Sequence, residues 1–193
     1  MIYLSVDVEA SGPVPGLHYL VSLGAAPVVR AQGGLFRVDL ERTFYAELSP
    51  LEGAAEVPEA MAVHGLSRPH LEAHGLPPAV AMRRFAEYLA GLGPVKTVVW
   101  PASFDHPFIA YYCHRFLGEN PVGHGGFDIA SYTMGLFGET GRNATYRAIR
   151  DTGYVTPHNP NEHNALADAI EQGETLAWLL SRASLTSRDD RAR

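Results

Sequence analysis

The sequence predicts a single α/β domain built on a mixed sheet, and three observations carry that reading. Three strand-like stretches follow one another at the start of the chain. The apolar period then switches from two to that of a helix. A short apolar strand, "KTVVW", lies between two helical stretches, as strands covered on both faces of a sheet do. With 193 residues, 46% of them hydrophobic, the chain is long enough to bury one sizeable core. The domain is expected to span residues 1–183.

Each element has its own reason. Residues 2–9 read as a strand because Ile2, Leu4, Val6 and Val8 alternate with more polar positions. Residues 18–30 and 35–48 read as two further strands, with "AQGG" as the hairpin turn between them. Three successive strands imply an antiparallel meander. Over 79–92, Val80, Ala81, Phe85, Leu89 and Leu92 share one helical face. After "KTVVW", Pro107 suits the first turn of a helix in "HPFIAYYCHRFL". A glycine-rich loop at 118–126 follows, and "FDIASYTMGLF" reads as a helix. The last long helix is expected to begin near His163 and to carry Leu166, Ile170, Leu176 and Leu180 as its apolar stripe. The stripe stops there, so "SLTSRDDRAR" (184–193) reads as a flexible tail.

Composition narrows the chemistry. No apolar run reaches the roughly 18–20 residues of a membrane span, and no signal-peptide pattern opens the sequence. The single cysteine, Cys113, excludes an internal disulfide and a cysteine-based zinc cage, and the cytoplasm is the expected setting. A net charge of −6 argues against a broad basic surface for duplex nucleic acid. It leaves room for an enzyme whose pocket takes up divalent cations.

"SVDVEASG" is where chemistry begins. Asp7 and Glu9 are two residues apart on a strand, so both point to the same face, with Cβ atoms about 6–7 Å apart. Charges entering a core need a basic partner or a hard cation. "WPASFDHPF" places Asp105 where a strand gives way to a helix, a position where an acid also serves as a plain cap. In "HNALADAI", His163 and Asp168 are five residues apart, about 140° around a helix. They converge only if His163 lies in the preceding loop, which Pro157 and Pro160 supply. Asp168 also lies off the apolar stripe. "MAVHGLSR" reads first as a short helix ended by a C-cap glycine.

The other polar residues have plain readings. His18, His70, His74, His106, His114, His124 and His158 show no metal-ligand spacing. Asp128 reads as a helix cap, and Arg83 and Arg84 as the wet face of their helix. Arg147 and Arg150 read as a solvated helix face too.

Taken in chain order, Asp-x-Glu on the first strand, Phe-Asp at a strand-to-helix junction and His-x₄-Asp before the last helix closely resemble the DEDDh class of 3′→5′ exonucleases. That class includes polymerase proofreading subunits, ribonuclease T and oligoribonuclease. The resemblance runs from Ile2 to about Leu180. It implies a ribonuclease H-like fold, with Asp7, Glu9, Asp105 and Asp168 holding two divalent cations, Mg²⁺ or Mn²⁺, and His163 as general base. It further implies that the loop of His64, Gly65 and Leu66 lies near the terminal nucleotide, that Ser11 contacts it, and that Phe104 forms an apolar wall. The implied substrate is the 3′ end of single-stranded DNA or RNA, released as nucleoside 5′-monophosphates, and short standalone members suggest a homodimer. Three positions depart from the family pattern. Ala10 and Ser11 stand where two threonines are common, and Pro101 stands where an asparagine is. The alternatives are an inactive nucleic-acid-binding module of the same fold and a metal-dependent phosphatase of small phosphoesters.

Overall fold

The first strand, β1 (Ile2–Ala10), is a central strand of a six-stranded sheet in the computed structural model of the chain. The structure describes residues 1–138, 149, 151–154 and 159–189, with 185–189 in backbone only. β2 (Leu20–Arg30) pairs antiparallel with β1 and carries both β3 (Phe36–Val38) and β4 (Phe44–Glu47) on its other side. β5 (Val95–Val99) runs parallel to β1, and β6 (Phe127–Asp128) parallel to β5. The sheet is therefore mixed, with the expected meander at one side.

Helices α1 (Pro58–His64), α2 (Arg68–His74), α3 (Pro78–Leu92), α4 (Asp105–Leu117), α5 (Ile129–Phe137) and α6 (Ala165–Asp189) complete the described elements. Leu4, Val6, Val8 and Ala10 turn to one face of the sheet and pack on Phe85 and Met82 of α3 and Phe108, Ile109 and Tyr112 of α4. On the other face Val28 and Val98 meet Ile129 of α5 and Leu176 and Leu179 of α6. Helices on both faces are what a sheet with parallel strands requires. Each large side chain buried there contributes on the order of 1.5–3 kcal/mol. Asp7 and Glu9 project from the second face, toward α6.

Four features differ from the sequence reading. The stretch 35–48 is two short strands, because buried Asp39 accepts hydrogen bonds from the Glu41 N–H (3.4 Å) and Arg42 Nε (2.8 Å) and folds Leu40–Arg42 into a 3₁₀ turn. Phe127 and Asp128 belong to β6, and the helix expected there starts at Ile129 with Asp128 Oδ1 accepting from the Ser131 N–H. The last helix starts at Ala165, where the Asn164 side chain accepts from the Ala167 N–H, and it continues past residue 183 to Asp189.

The fourth difference bears most on the site. Of the expected stripe on α6 only Leu176 is fully buried; the buried face is Ala165, Ala169, Leu176 and Leu179. Small residues lie on that face because the helix start presses on β2 at Gly24. A Cβ on Gly24 would stand 2.2 Å from the carbonyl of Ala165 and 2.3 Å from the Leu166 nitrogen. Gly24 is the strand partner of Asp7. The contact that lacks side chains thus sets how near α6 comes to the acids of β1.

Gly24→Ala should push the start of α6 off the sheet. The overpacking should cost about 1–3 kcal/mol, or roughly 2–12 °C in melting temperature for a domain of this size. A thermal melt within 1 °C of the parent would contradict the close approach.

Candidate active site

The acids meet where the sheet opens. β5 pairs with β1 only across Ile2–Ser5, so the far half of β1 has one side without a strand partner. Asp105, the first residue of α4 beyond β5, fills that gap: its Oδ1 accepts the Val8 N–H at 3.1 Å. Asp105 is 2% exposed, and its Oδ2 has no hydrogen-bond partner among the described residues. The N-cap position of α4 is Phe104, which makes no side-chain cap. The Asp105 carboxylate thus faces the strand that carries Asp7 and Glu9.

Asp168 arrives from the opposite side. It sits in the first turn of α6, and its Oδ2 accepts the backbone N–H of His163 at 2.9 Å while Oδ1 accepts Asn159 Nδ2 at 2.6 Å. His163 lies in the turn before the helix with φ 65°, a left-handed conformation that His, Asn and Asp adopt more readily than other side chains. This is the loop placement that the five-residue spacing demanded. Glu9, His163 and Asp168 each bring a ligand atom within 4.8 Å of the other two. Gln172, one helical turn beyond Asp168, donates from Nε2 to Asp7 Oδ1 at 2.7 Å. Neither Gln172 nor Asn159 was picked out from the sequence. Gln172 had a signal, its i+4 spacing from Asp168; Asn159 had none.

The electrostatics follow from crowding. Burial, and then the charges of Asp105, Glu9 and Asp168, hold the Asp7 carboxyl well above its ordinary range. Burial first, then Asp168 and Asp105, push Glu9 up to about 8. Burial raises Asp105 to about 7 against the pull of the Val8 hydrogen bond. Asp168 is raised by burial and drawn back by the His163 N–H. No lysine or arginine pairs with any of the four among the described residues. A hard-oxygen set of like charges, one oxygen buried and unpartnered, fits a divalent cation such as Mg²⁺ or Mn²⁺.

The residues around the acids divide. His64 ends α1, its Nδ1 accepting the Leu66 N–H at 3.1 Å, and both burial and nearby His163 lower its pKa. Gly65 takes the left-handed cap expected of it (φ 69°). The loop therefore comes up beside His163, although Leu66 also packs inward against the small cluster of Tyr19, Leu51 and Leu71. Phe104 is half-buried beside Phe108. Ser11 is a correction. Its hydroxyl is fully buried, donating to the Ala55 carbonyl and accepting from the Tyr19 N–H, so it ties the loop after β1 rather than facing a substrate. Asp128 caps α5 as expected, and Arg83 and Arg84 are exposed. His18 is buried against Val14, and His70 pairs with Glu47. Arg147, Arg150, Pro157 and His158 lie outside the described residues.

No family model matches the chain. It is 35% identical over 197 aligned residues to the 3′-5′ DNA exonuclease Cap18 of Escherichia coli, covering 98% of this chain and 97% of that protein. Among solved structures it resembles E. coli exonuclease I in complex with a dT13 oligonucleotide, with a TM-score of 0.71 and 15% identity across 97% of this chain and 43% of the other. The zinc-bound exonuclease I–ssDNA complex gives 0.69 and 16%, across 94% and 40%. The nuclease domain of 3′hExo, a DEDDh family member bound to rAMP, gives 0.70 and 13%, across 93% and 91%. The chain spans less than half the length of exonuclease I, and at these identities the structural likeness speaks for the fold, which is ribonuclease H-like.

Glu9 and Asp105 hold protons more tightly when folded than when unfolded. Between their ordinary range, near 4, and about 8 the folded state therefore binds more protons, and stability falls as pH rises through that window. In EDTA the melting temperature should fall from pH 5 to pH 8, with a shallower fall in Glu9→Gln. Saturating Mg²⁺ or Mn²⁺ should flatten the curve. A metal-free protein that gains stability across the same range would overturn this account of the site.

Proposed function

The chain belongs to the DEDDh family of 3′→5′ exonucleases, and from that premise we propose that it shortens single-stranded DNA from the 3′ end with two divalent cations, releasing nucleoside 5′-monophosphates. The observation that carries the proposal is the meeting of Asp7, Glu9, Asp105 and Asp168, from one strand and two helices, beside His163. DNA is preferred over RNA because the 35%-identical relative is a DNA exonuclease.

Asp7, Glu9, Asp105 and Asp168 would hold the cations, Mg²⁺ or Mn²⁺, whose chemistry when bound is to acidify an attacking water and to offset charge on the leaving 3′ oxygen. The chain does the rest. His163 takes a proton from the attacking water, its backbone held by Asp168 so that the ring stays beside Glu9. Gln172 holds Asp7 Oδ1 from the helix side and fixes that carboxylate's rotation. The Val8 N–H does the same for Asp105. His64, Gly65 and Leu66 stand where a terminal nucleotide would meet the chain, and Phe104 beside Asp105 offers an apolar surface.

A net charge of −6 suits an enzyme that grips only the last few nucleotides. No described helix is long and apolar enough to cross a membrane. Cys113 is buried and free, in keeping with a reducing compartment such as the cytoplasm. All five site residues come from one chain, so the homodimer suggested by resemblance draws no support from the site.

A 5′-labelled single strand with Mg²⁺ or Mn²⁺ should shorten stepwise and yield nucleoside 5′-monophosphates, while a circular single strand of the same sequence survives. Cutting of the circle would contradict a 3′-end mechanism. Release of inorganic phosphate from small phosphoesters, with no shortening of the strand, would indicate the phosphatase instead.

His163→Ala should lower turnover by roughly 10²–10⁴-fold, the usual contribution of a general base. The rise in melting temperature on adding Mg²⁺ should survive, since the four carboxylates remain. Turnover within about twofold of the parent would remove His163 from the proton transfer.

A further inference from the structure

His163 is more than a neighbour of the carboxylates. Its ring, one oxygen of Glu9 and one oxygen of Asp168 form the one group of three metal-ligating side chains found among the described residues, with all three atoms inside 4.8 Å of each other. We infer that these three residues make a second, inhibitory binding mode for an imidazole-seeking cation such as Zn²⁺, in which the proton acceptor becomes a ligand. The effect on turnover rests on the exonuclease reading above; the binding mode itself does not.

The geometry is close to what zinc requires. Three ligands at 2.0–2.2 Å from a tetrahedral ion stand about 3.4 Å from one another. Closing from 4.8 Å or less needs only side-chain rotation. The exposed His163 ring has that freedom, because its ring makes no hydrogen bond among the described residues. Asp168 is held in place, its two oxygens accepting from Asn159 Nδ2 and the His163 N–H. The same backbone bond tethers His163 to Asp168, so two of the three ligands are assembled before any ion arrives.

Ion chemistry separates the two modes. Mg²⁺ prefers oxygen ligands in an octahedral shell and has little use for an imidazole. Mn²⁺ stands low in the divalent affinity order for nitrogen-containing sites, and Zn²⁺ stands near its top. With Mg²⁺ or Mn²⁺ the carboxylates carry the site and His163 keeps its lone pair for the water proton. With Zn²⁺ the lone pair is donated to the ion, and a nitrogen in a coordinate bond accepts no proton. Tighter binding and lower activity then arise from one contact.

The test uses the full chain and three proteins: the parent, His163→Asn and Glu9→Gln. Asparagine tolerates the left-handed backbone at this position while removing the imidazole, so His163→Asn should fold where alanine at φ 65° is strained. Calorimetric titration should show Zn²⁺ binding the parent more tightly than Mg²⁺. His163→Asn should weaken Zn²⁺ by roughly 10–100-fold, at least the loss expected for a residue that merely supports a ligand, and weaken Mg²⁺ by less than about threefold. Glu9→Gln should weaken both. In ¹⁵N-histidine NMR, Zn²⁺ should shift one imidazole resonance of the parent that is missing from His163→Asn. Added to a Mg²⁺-supported digestion, Zn²⁺ should stop it. Equal Zn²⁺ affinity in the parent and His163→Asn, or a shifted resonance that persists in the variant, overturns the inference. If the strand is never shortened with any cation, the exonuclease reading fails, while affinity and resonance still decide whether His163 is a ligand.

Discussion

Four carboxylates share one end of the sheet, and among the described residues no lysine or arginine pairs with them. Such an arrangement costs stability unless protons or cations intervene. The structure holds three of the four acids with donors that carry no net charge: the Val8 N–H for Asp105, the Gln172 amide for Asp7, and Asn159 with the His163 N–H for Asp168. These bonds set direction without neutralising. An arginine in their place would fix the carboxylates equally well and would also compete for the space and charge that a divalent ion needs. Orientation by neutral donors leaves the repulsion in place, and that repulsion is what attracts metal.

The rest of the fold serves this end of the sheet. β1 has a dry face, Leu4 to Ala10, locked on α3 and α4, and a charged face that can stay charged because the strand is anchored from behind. The mixed topology opens the space. β5 leaves β1 after Ser5, so Asp105 can take the place of a strand partner at Val8. Gly24 then lets α6 lie against β2 directly opposite Asp7. Without that approach Asp168 and Gln172 would stand too far from β1 to share its ion site. Core packing and site geometry are therefore the same contacts seen from two sides.

What was legible in the sequence depended on how local the cause was. Asp7 and Glu9 could be read from a period of two, and the turn placement of His163 from its awkward spacing to Asp168. Asp105 was ambiguous, because a helix start and a strand gap ask for the same residue type. Asp168 looked misplaced because the apolar stripe on α6 was traced through large residues. The buried face is set by Ala165, Ala169 and the glycine opposite them, where close approach matters more than bulk. Ser11 failed for a related reason. A small hydroxyl next to a catalytic motif reads as a substrate contact, yet its partners, Ala55 and Tyr19, come from a loop and a strand that sequence alone does not bring together. The break at Asp39 was a local competition, side chain against ladder, that strand propensity does not weigh. Linking the separate acids into one site needed the family resemblance.

The bond from the His163 N–H to Asp168 makes the histidine and a carboxylate one unit. The left-handed backbone at His163 directs that N–H back into the helix start, and Asn164 caps the helix immediately after it. Moving the turn would take a hydrogen bond from Asp168, and rotating Asp168 would release the turn. The imidazole can swing on its side-chain torsions, but its base stays pinned beside the acids. The proposed proton transfer asks for a mobile ring at a fixed location, and this turn fixes the location. The same tether explains why the site is open to capture: a ring held within reach of two carboxylates is already most of a coordination shell. On the proposed reading, placing the proton acceptor this close to the acids makes activity depend on the identity of the ion, because among the described residues the His163 ring has no hydrogen bond that would keep it out of the shell.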